Sequence, residues 1–326
     1  MTQLLITRKL SDEAMTLIAD AGIDYRLNET DVRWLPEELR EQIRDVEAVI
    51  CLLTDKITAD LMDAAPNLKL IANVAVGYDN IDVHAATERG ILVTNTPDVL
   101  TETTADLAFA LLLAIARRLV EADAYMRAGK LKEFEFFPSL MGTDVFGKTL
   151  GIVGMGRIGT AVARRGALGF GMKVLYTANS PKPEAEAELG ATQVDFTTLL
   201  KESDFISINA PMTPATHHLF TINELRQMKA TACLINTARG PLVKESDLVQ
   251  ALREGIIRGA ALDVFEHEPL MADGLADLKH NLIVAPHVGS ATVETREKMA
   301  LLAAQNAAAF LTGKRPLTPV NTPKHE

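Results

Sequence analysis

Cysteine is scarce in this sequence, with 2 residues in 326, and Cys51 and Cys233 stand far apart with no Cys-x-x-Cys pair. That excludes a disulfide framework and a cysteine-built metal site, and it suits a reduced, cytoplasmic chain whose thiols are small buried hydrophobes. Aromatic residues are few, at 5%, and 33 Lys and Arg face 43 Asp and Glu for a net charge of -10. An acidic surplus speaks against a nucleic-acid partner, because affinity for a phosphate backbone rests on clustered Lys and Arg. Long apolar runs are missing as well. Leu107 to Ala116 is closed by Arg117 and Arg118 well short of a membrane span, and Met1 to Ile6 lacks the basic and apolar regions of a secretory signal. No membrane partner is expected, and no repeat or low-complexity tract is found.

What is present is the balance of an ordinary globular enzyme, 48% hydrophobic and 23% charged. The length favours two domains, which leaves room for a cleft. From Leu4 to Thr96 short apolar runs alternate with polar, helix-like stretches: Leu4-Leu5-Ile6, Ala48-Val49-Ile50, Leu70-Ile71-Ala72 and Ile91-Leu92-Val93. Such alternation reads as α/β with a mainly parallel sheet. Pro97 and Asp98 punctuate the chain, and Thr101 is expected to N-cap one helix running to about Arg127 and ended by Gly129. Because Ala105 to Ala116 is apolar all round, this helix is expected to be buried between domains or against another subunit. A second series places strands at 149–153, 173–177, 205–209, 232–236, 259–263 and 282–285, which fits a doubly wound sheet. An apolar helix over Val293 to Leu311 follows, and the Pro- and Lys-rich tail from Lys314 is expected to be loose.

One turn carries a specific signal. Gly154-Met-Gly156-Arg157-Ile158-Gly159 lies directly after an apolar strand and before a helical stretch. The first glycine permits a tight turn, the second lets backbone approach a pyrophosphate, and the third lets helix pack on strand; the helix N-terminus then offers N–H groups to phosphate. Gly166, Gly169 and Gly171 are read as a helix C-cap and turn. An NAD site usually carries an acid at the end of the second strand, about 20 residues on, for the ribose 2′-hydroxyl. Here Tyr176-Thr177-Ala178-Asn179-Ser180-Pro-Lys182 has none before Glu184, and Asn179, Ser180 and Lys182 are suited to a 2′-phosphate. The expected cofactor is NADPH, with NADH also accepted.

Ligands of open α/β sheets bind outside the carboxyl ends of the strands. Arg239 follows the expected strand 232–236, Asp263, Glu266 and Glu268 follow 259–263, and His287 follows 282–285. A planar two-donor cation suits a 2-keto acid, whose carbonyl oxygen gains a proton as hydride arrives. His287 changes charge near neutral pH, and a carboxylate such as Glu268 would hold its ring and favour the imidazolium. Metal ligation by Asp263, Glu266, His267 and Glu268 is disfavoured, since consecutive loop positions diverge and no i, i+4 spacing occurs. His217 and His218 are read as structural.

With those residues in place, the chain resembles the D-isomer-specific 2-hydroxyacid dehydrogenases, in their glyoxylate/hydroxypyruvate reductase branch. The blocks Asn73-Val-Ala-Val76-Gly77-Tyr78-Asp-Asn-Ile-Asp82, Gly147 to Gly159, Asn236-Thr237-Ala238-Arg239-Gly-Pro241, Leu262 to Pro269 and Pro286-His287-Val-Gly289-Ser290 match it in order. The resemblance implies two doubly wound parallel-sheet domains with a cleft between: a Rossmann nucleotide-binding domain at 99–290 and a flavodoxin-like substrate domain from 1–98 plus 291–326. It implies that Arg239 binds substrate, that Glu268 pairs with the acid/base His287, and that Leu53, Val76 and Gly77 lie at the substrate carboxylate. Cofactor contacts are implied for Thr104, Arg157, Ile158, Pro211, Thr216, Thr237, Ala238, Asp263, His287 and Gly289, with Asp263 on the nicotinamide carboxamide. A homodimer is implied, with the loop from Phe134 to Met141 shaping the partner's pocket; that loop lacks the tryptophan often found there. The expected function is reduction of a small 2-keto acid to a D-2-hydroxy acid. Two alternatives stay open, a corepressor-like dinucleotide-sensing interaction protein and a formate- or phosphite-type dehydrogenase.

Overall fold

The computed structural model describes residues 3–136 and 138–324. Phe137, part of the loop expected to shape a substrate pocket, lies outside the described residues. The chain divides into two compact units, Met1–Leu100 with Ser290–Glu326, and Thr101–Gly289.

The first unit holds a parallel five-stranded sheet in the order β2-β1-β3-β4-β5, formed by β1 (Leu4–Ile6), β2 (Tyr25–Leu27), β3 (Ala48–Cys51), β4 (Leu70–Asn73) and β5 (Leu92–Thr94). Strands β1, β3 and β4 are buried at every position, as unbroken apolar runs must be when helices cover both sheet faces. Edge strand β2 is half-exposed and has no apolar run, so periodicity could not announce it. The helix Val293–Leu311 packs on β3, β4 and the helix Asp12–Asp20. Contrary to expectation, the tail is not loose. Val320 N–H bonds Val93 O at 2.8 Å, Asn321 Oδ1 accepts Val93 N–H at 2.8 Å, and Asn306 inside the last helix holds Leu317 and Thr318 N–H through its Oδ1. Pro and Lys content misled because backbone polar groups along an open sheet edge recruit any extended segment in reach.

The second unit holds β6 (Thr149–Val153), β7 (Lys173–Thr177), β8 (Thr192–Gln193), β9 (Phe205–Ile208), β10 (Cys233–Asn236), β11 (Gly259–Leu262) and β12 (Leu282–Val284). All are parallel, in the order β12-β11-β10-β9-β6-β7-β8. The order reverses between β6 and β9, which is the switch point where doubly wound sheets bind ligands. The expected strands are all present, and the two-residue, exposed β8 adds one that leaves no sequence signal.

Two local expectations are corrected here. The helix expected to reach Arg127 is two helices, Thr101–Ala116 and Leu119–Arg127, broken where Arg118 turns left-handed at φ 52° and its guanidinium clamps Glu121 and the Ser139 carbonyl. Thr101 is the first helical residue rather than the cap, and the apolar helix packs within its own unit on β10, β11 and the helix Arg157–Arg164. Gly166 belongs to a wide helical turn, Arg165–Gly169, and not to a cap: a Cβ there would sit 2.6 Å from Leu150 Cδ2. Gly171, at φ +57°, does close the turn.

Candidate active site

The glycine turn after β6 has the geometry its spacing requires. Gly154 sits at φ +95°, and a Cβ there would meet Ala210 N at 2.8 Å, while at Gly159 it would fall 2.1 Å from Gly154 O. Around Gly156 no atom of the described residues lies within 4 Å of that position, so backbone is open to approach from outside. The first intrahelical bond of Arg157–Arg164 runs from Thr160 N–H to Gly156 O, which leaves Ile158 and Gly159 N–H without intrahelical acceptors and pointed at the turn. Two buried acceptors at neighbouring strand ends, Asn209 Oδ1 after β9 and Thr237 Oγ1 after β10, have no protein partner among the described residues. Open glycine backbone, helix N–H groups and orphaned polar atoms at a switch point fit a dinucleotide.

Past β7, Asn179 and Ser180 are exposed and Lys182 is half-buried. The buried Tyr176 fixes this turn: its hydroxyl accepts Lys182 N–H at 2.8 Å and donates to Glu186 Oε1 at 2.5 Å. Pro211 and Thr216 share a turn, with Thr216 Oγ1 donating to Pro211 O at 2.7 Å. Buried Thr104, on the helix Thr101–Ala116, lies against Gly289.

At the end of β11, Asp263 is fully buried, and its two oxygens accept Val288 N–H at 2.8 Å and Gly289 N–H at 2.7 Å. The Asp263 carbonyl takes His287 N–H at 2.8 Å. These three bonds hold His287 at φ 55°, a left-handed conformation costing roughly 1–2 kcal/mol outside glycine, and so aim its ring. Burial pushes the Asp263 carboxyl up despite the two N–H donors, and the nearby Glu268 charge adds to the rise.

The ring meets Glu268. His287 Nδ1 lies 2.8 Å from Glu268 Oε2, and Glu268 Oε1 accepts Phe265 N–H at 3.1 Å. Burial alone would raise the Glu268 carboxyl, but the His287 bond and charge, the Phe265 N–H and the Arg239 charge outweigh it and hold the group below its usual range. A charged carboxylate only accepts, so the shared proton sits on Nδ1 and the outer nitrogen, Nε2, is left for proton exchange. Arg239 is brought within electrostatic reach of this pair from the end of β10. Its loop is set by Asn236, whose side chain accepts Ala238 N–H at 3.0 Å and donates to Arg239 O at 2.9 Å. In the sequence Asn236 carries no signal beyond its place in a motif.

Leu53, Val76 and Gly77 lie in the first unit, on the loops after β3 and β4. Asn95 Nδ2 holds Val76 O and Asn73 Nδ2 holds Gly77 O, each at 2.8 Å, while Asp55 accepts Leu52 N–H at 2.9 Å. Side chains thus fix the backbone on both sides of these residues. Of the carboxylates after β11, Glu268 and not Glu266 faces His287, while Glu266 turns away to His218.

Residues 109–289 match the model of the D-isomer specific 2-hydroxyacid dehydrogenase, NAD binding domain. A glyoxylate reductase of Thermococcus litoralis is 56% identical over 286 residues, covering 87% of this chain and 86% of the relative. One from Thermococcus onnurineus is 49% identical over 322 residues, covering 98% of this chain and 96% of its own. Among solved structures, an NADPH-dependent glyoxylate/hydroxypyruvate reductase from Sinorhizobium meliloti, in complex with NADP and malonate, superposes with a TM-score of 0.86 at 35% identity, covering 99% of this chain and 98% of that one. The turn after β6 and the polar residues after β10, β11 and β12 therefore belong to an oxidoreductase that uses a nicotinamide dinucleotide, and the chain is a member of the D-isomer-specific 2-hydroxyacid dehydrogenase family, in its glyoxylate reductase branch.

Proposed function

We propose that this protein reduces a small 2-keto acid, glyoxylate or hydroxypyruvate, to the 2-hydroxy acid, of D configuration where the product is chiral, with NADPH preferred over NADH. The observation that carries the reading is the 2.8 Å contact between His287 Nδ1 and Glu268 Oε2, past the carboxyl ends of strands in the same sheet as the dinucleotide turn. A bound nicotinamide dinucleotide supplies the hydride. Arg239 grips the keto acid with its planar fork and draws charge from the carbonyl. His287 gives the proton on Nε2 to the carbonyl oxygen as negative charge develops there, and Glu268 stabilises the imidazolium before transfer. One hydride on carbon and one proton on oxygen turn the carbonyl into the alcohol.

Backbone at Val76 and Gly77, with Leu53, receives the substrate carboxylate in this reading. Gly154, Gly156, Arg157, Ile158 and Gly159 take the pyrophosphate, and Asn179, Ser180 and Lys182 take a 2′-phosphate. Pro211 and Thr216 lie at the adenosine. Thr104, Thr237, Ala238, Asp263 and Gly289 line the nicotinamide end, where Asp263, already holding two N–H groups, keeps acceptor capacity for a carboxamide. The absence of an acid at Ala178 supports NADPH. Exposed Leu119, Val120, Met126, Leu131 and Phe134 support a homodimer. Among the described residues no helix is long and apolar enough to cross a membrane, and a cytoplasmic site is part of the proposal.

A single plate tests the function: glyoxylate, hydroxypyruvate, pyruvate and 2-ketogluconate, each with NADH and NADPH, beside formate and phosphite in the oxidative direction. Turnover of glyoxylate or hydroxypyruvate, faster with NADPH, is expected. No turnover of any 2-keto acid would refute the reading, and oxidation of formate or phosphite would replace it.

A further inference from the structure

His218 does something the reaction chemistry leaves unexplained. It follows β9, far in sequence from Arg239 and Glu268, yet it is bonded to the loops of both. Its backbone N–H donates to Pro241 O at 2.7 Å, two residues past Arg239. Its Nε2 lies 2.6 Å from Glu266 Oε1, two residues before Glu268. The backbone at His218 is left-handed, φ 51°, and its ring lies against that of His217 with centroids 3.9 Å apart. A half-buried histidine held in such a conformation and tied at both ends is built to span a gap.

The gap is between two loops already pressed together. At Gly240, next to Arg239, a Cβ would fall 1.9 Å from the Phe265 carbonyl and 2.5 Å from Glu266 N. Glu266 and Glu245 then brace each other: Glu266 Oε2 accepts Glu245 N–H and Glu245 Oε1 accepts Glu266 N–H, both at 2.6 Å. Glu245 is 2% exposed, and its second oxygen takes Ala272 N–H at 2.8 Å. The stretch from Phe265 to Ala272, with Glu268 in it, is thus pinned on one side by buried carboxylate–amide bonds. His218 supplies the contact to the Glu266 oxygen that faces the other way.

We propose that His218 is a positioning residue, whose bond to Glu266 locks the Glu268 loop against the Arg239 loop and so sets the contact between Glu268 and His287. The proposal rests on the reading of Arg239, Glu268 and His287 as the reacting residues. Two variants separate the bond from mere packing. His218→Phe keeps a ring against His217 and removes the donor; His218→Gln removes the ring and keeps an N–H donor at similar reach. Both bear the same left-handed backbone, so that cost cancels between them. Two readouts are taken: kcat and KM for glyoxylate, and the far-downfield proton resonance of the His287 Nδ1–H on Glu268, assigned by its loss in His287→Asn.

If the bond positions the site, His218→Phe lowers kcat about tenfold with KM changed less than about twofold, since misplacement by well under 1 Å suffices for such a loss. Its downfield resonance broadens or disappears, and His218→Gln restores both. If instead His218→Phe keeps kcat and the resonance while His218→Gln is the impaired variant, the ring acts by packing and the proposal is overturned. The resonance is read with or without turnover. A wild-type protein that reduces no 2-keto acid would therefore overturn the functional reading while the two variants still decide the role of His218.

Discussion

Replacing Glu268 by Gln removes one charge and leaves the shape of the site. Glu268 serves two donors, His287 Nδ1 at 2.8 Å and Phe265 N–H at 3.1 Å; the Gln carbonyl can still serve the histidine, at the expense of the Phe265 bond, because its NH2 then faces that N–H. A hydrogen bond to a charged group contributes about 1.5–3 kcal/mol and a neutral one about 0.5–1.5. The two side chains are 24% and 31% exposed, so solvent screening trims the difference to about 1 kcal/mol. At about 1.4 kcal/mol per tenfold, the loss weakens the support of the proton-donating ring about fivefold. Reduction takes its proton from that ring, so kcat/KM for glyoxylate falls about fivefold while the KM for NADPH stays within about twofold of wild type. The assay is kcat/KM for glyoxylate with NADPH at about pH 7. A value within about twofold of the wild type would refute a role for Glu268 through its charge.

Arg239→Lys replaces a planar fork by a point charge, and kcat/KM for glyoxylate is expected to drop about 100-fold; a kcat/KM within about twofold of wild type would count against substrate binding and carbonyl polarisation at this position. Ala178→Asp installs the missing acid at the end of β7, and the ratio of kcat/KM with NADH to that with NADPH should rise by more than about tenfold; an unchanged ratio would sink the cofactor reading. Burial pushes the Asp204 carboxyl up, but bonds from Lys229 and Thr149 N–H outweigh it and hold it below 3.8, its ordinary value. Its stabilising share is therefore present above that value and lost as pH falls through the lower folded one, so Asp204→Asn should lower Tm at neutral pH and flatten the fall of Tm below about pH 4. Parallel Tm curves would disprove the linkage. Cys233 is fully buried, and burial pushes its thiol up to about 12, so native protein should resist thiol reagents at about pH 8 that label both cysteines after unfolding; rapid native labelling would contradict the packing.

Much of the second unit was legible because its features are local. Strands β6, β9 and β10 are buried throughout or nearly so and stand as short apolar runs between polar helices, and the glycine turn after β6 is one continuous stretch whose steric demands fall on its own residues. Arg239, Glu268 and His287 could be nominated since each lies on the loop past the carboxyl end of a strand. What stayed hidden were pieces with no local period. The edge strands β2 and β8 take their conformation from a neighbouring strand's hydrogen bonds, and the tail from Leu317 to Lys324 is ordered by β5 and by Asn306. The break at Arg118 is set by Glu121 and Ser139 O, neither of which helix propensity can weigh.

The sequence by itself determined the fold class, the dinucleotide turn and the residue types from which an acid/base pair could be drawn, because these rest on side-chain periodicity and on glycine sterics within a few positions. Only the tertiary structure decided which carboxylate faces the histidine. Glu266 and Glu268 are two residues apart with the same chemistry, and they part company because Glu245 and His218 capture one while Phe265 N–H and His287 Nδ1 capture the other. Three of those partners, Glu245, His218 and His287, come from separate segments, and such a hydrogen bond depends on where the chain returns in space, which spacing along the chain does not encode.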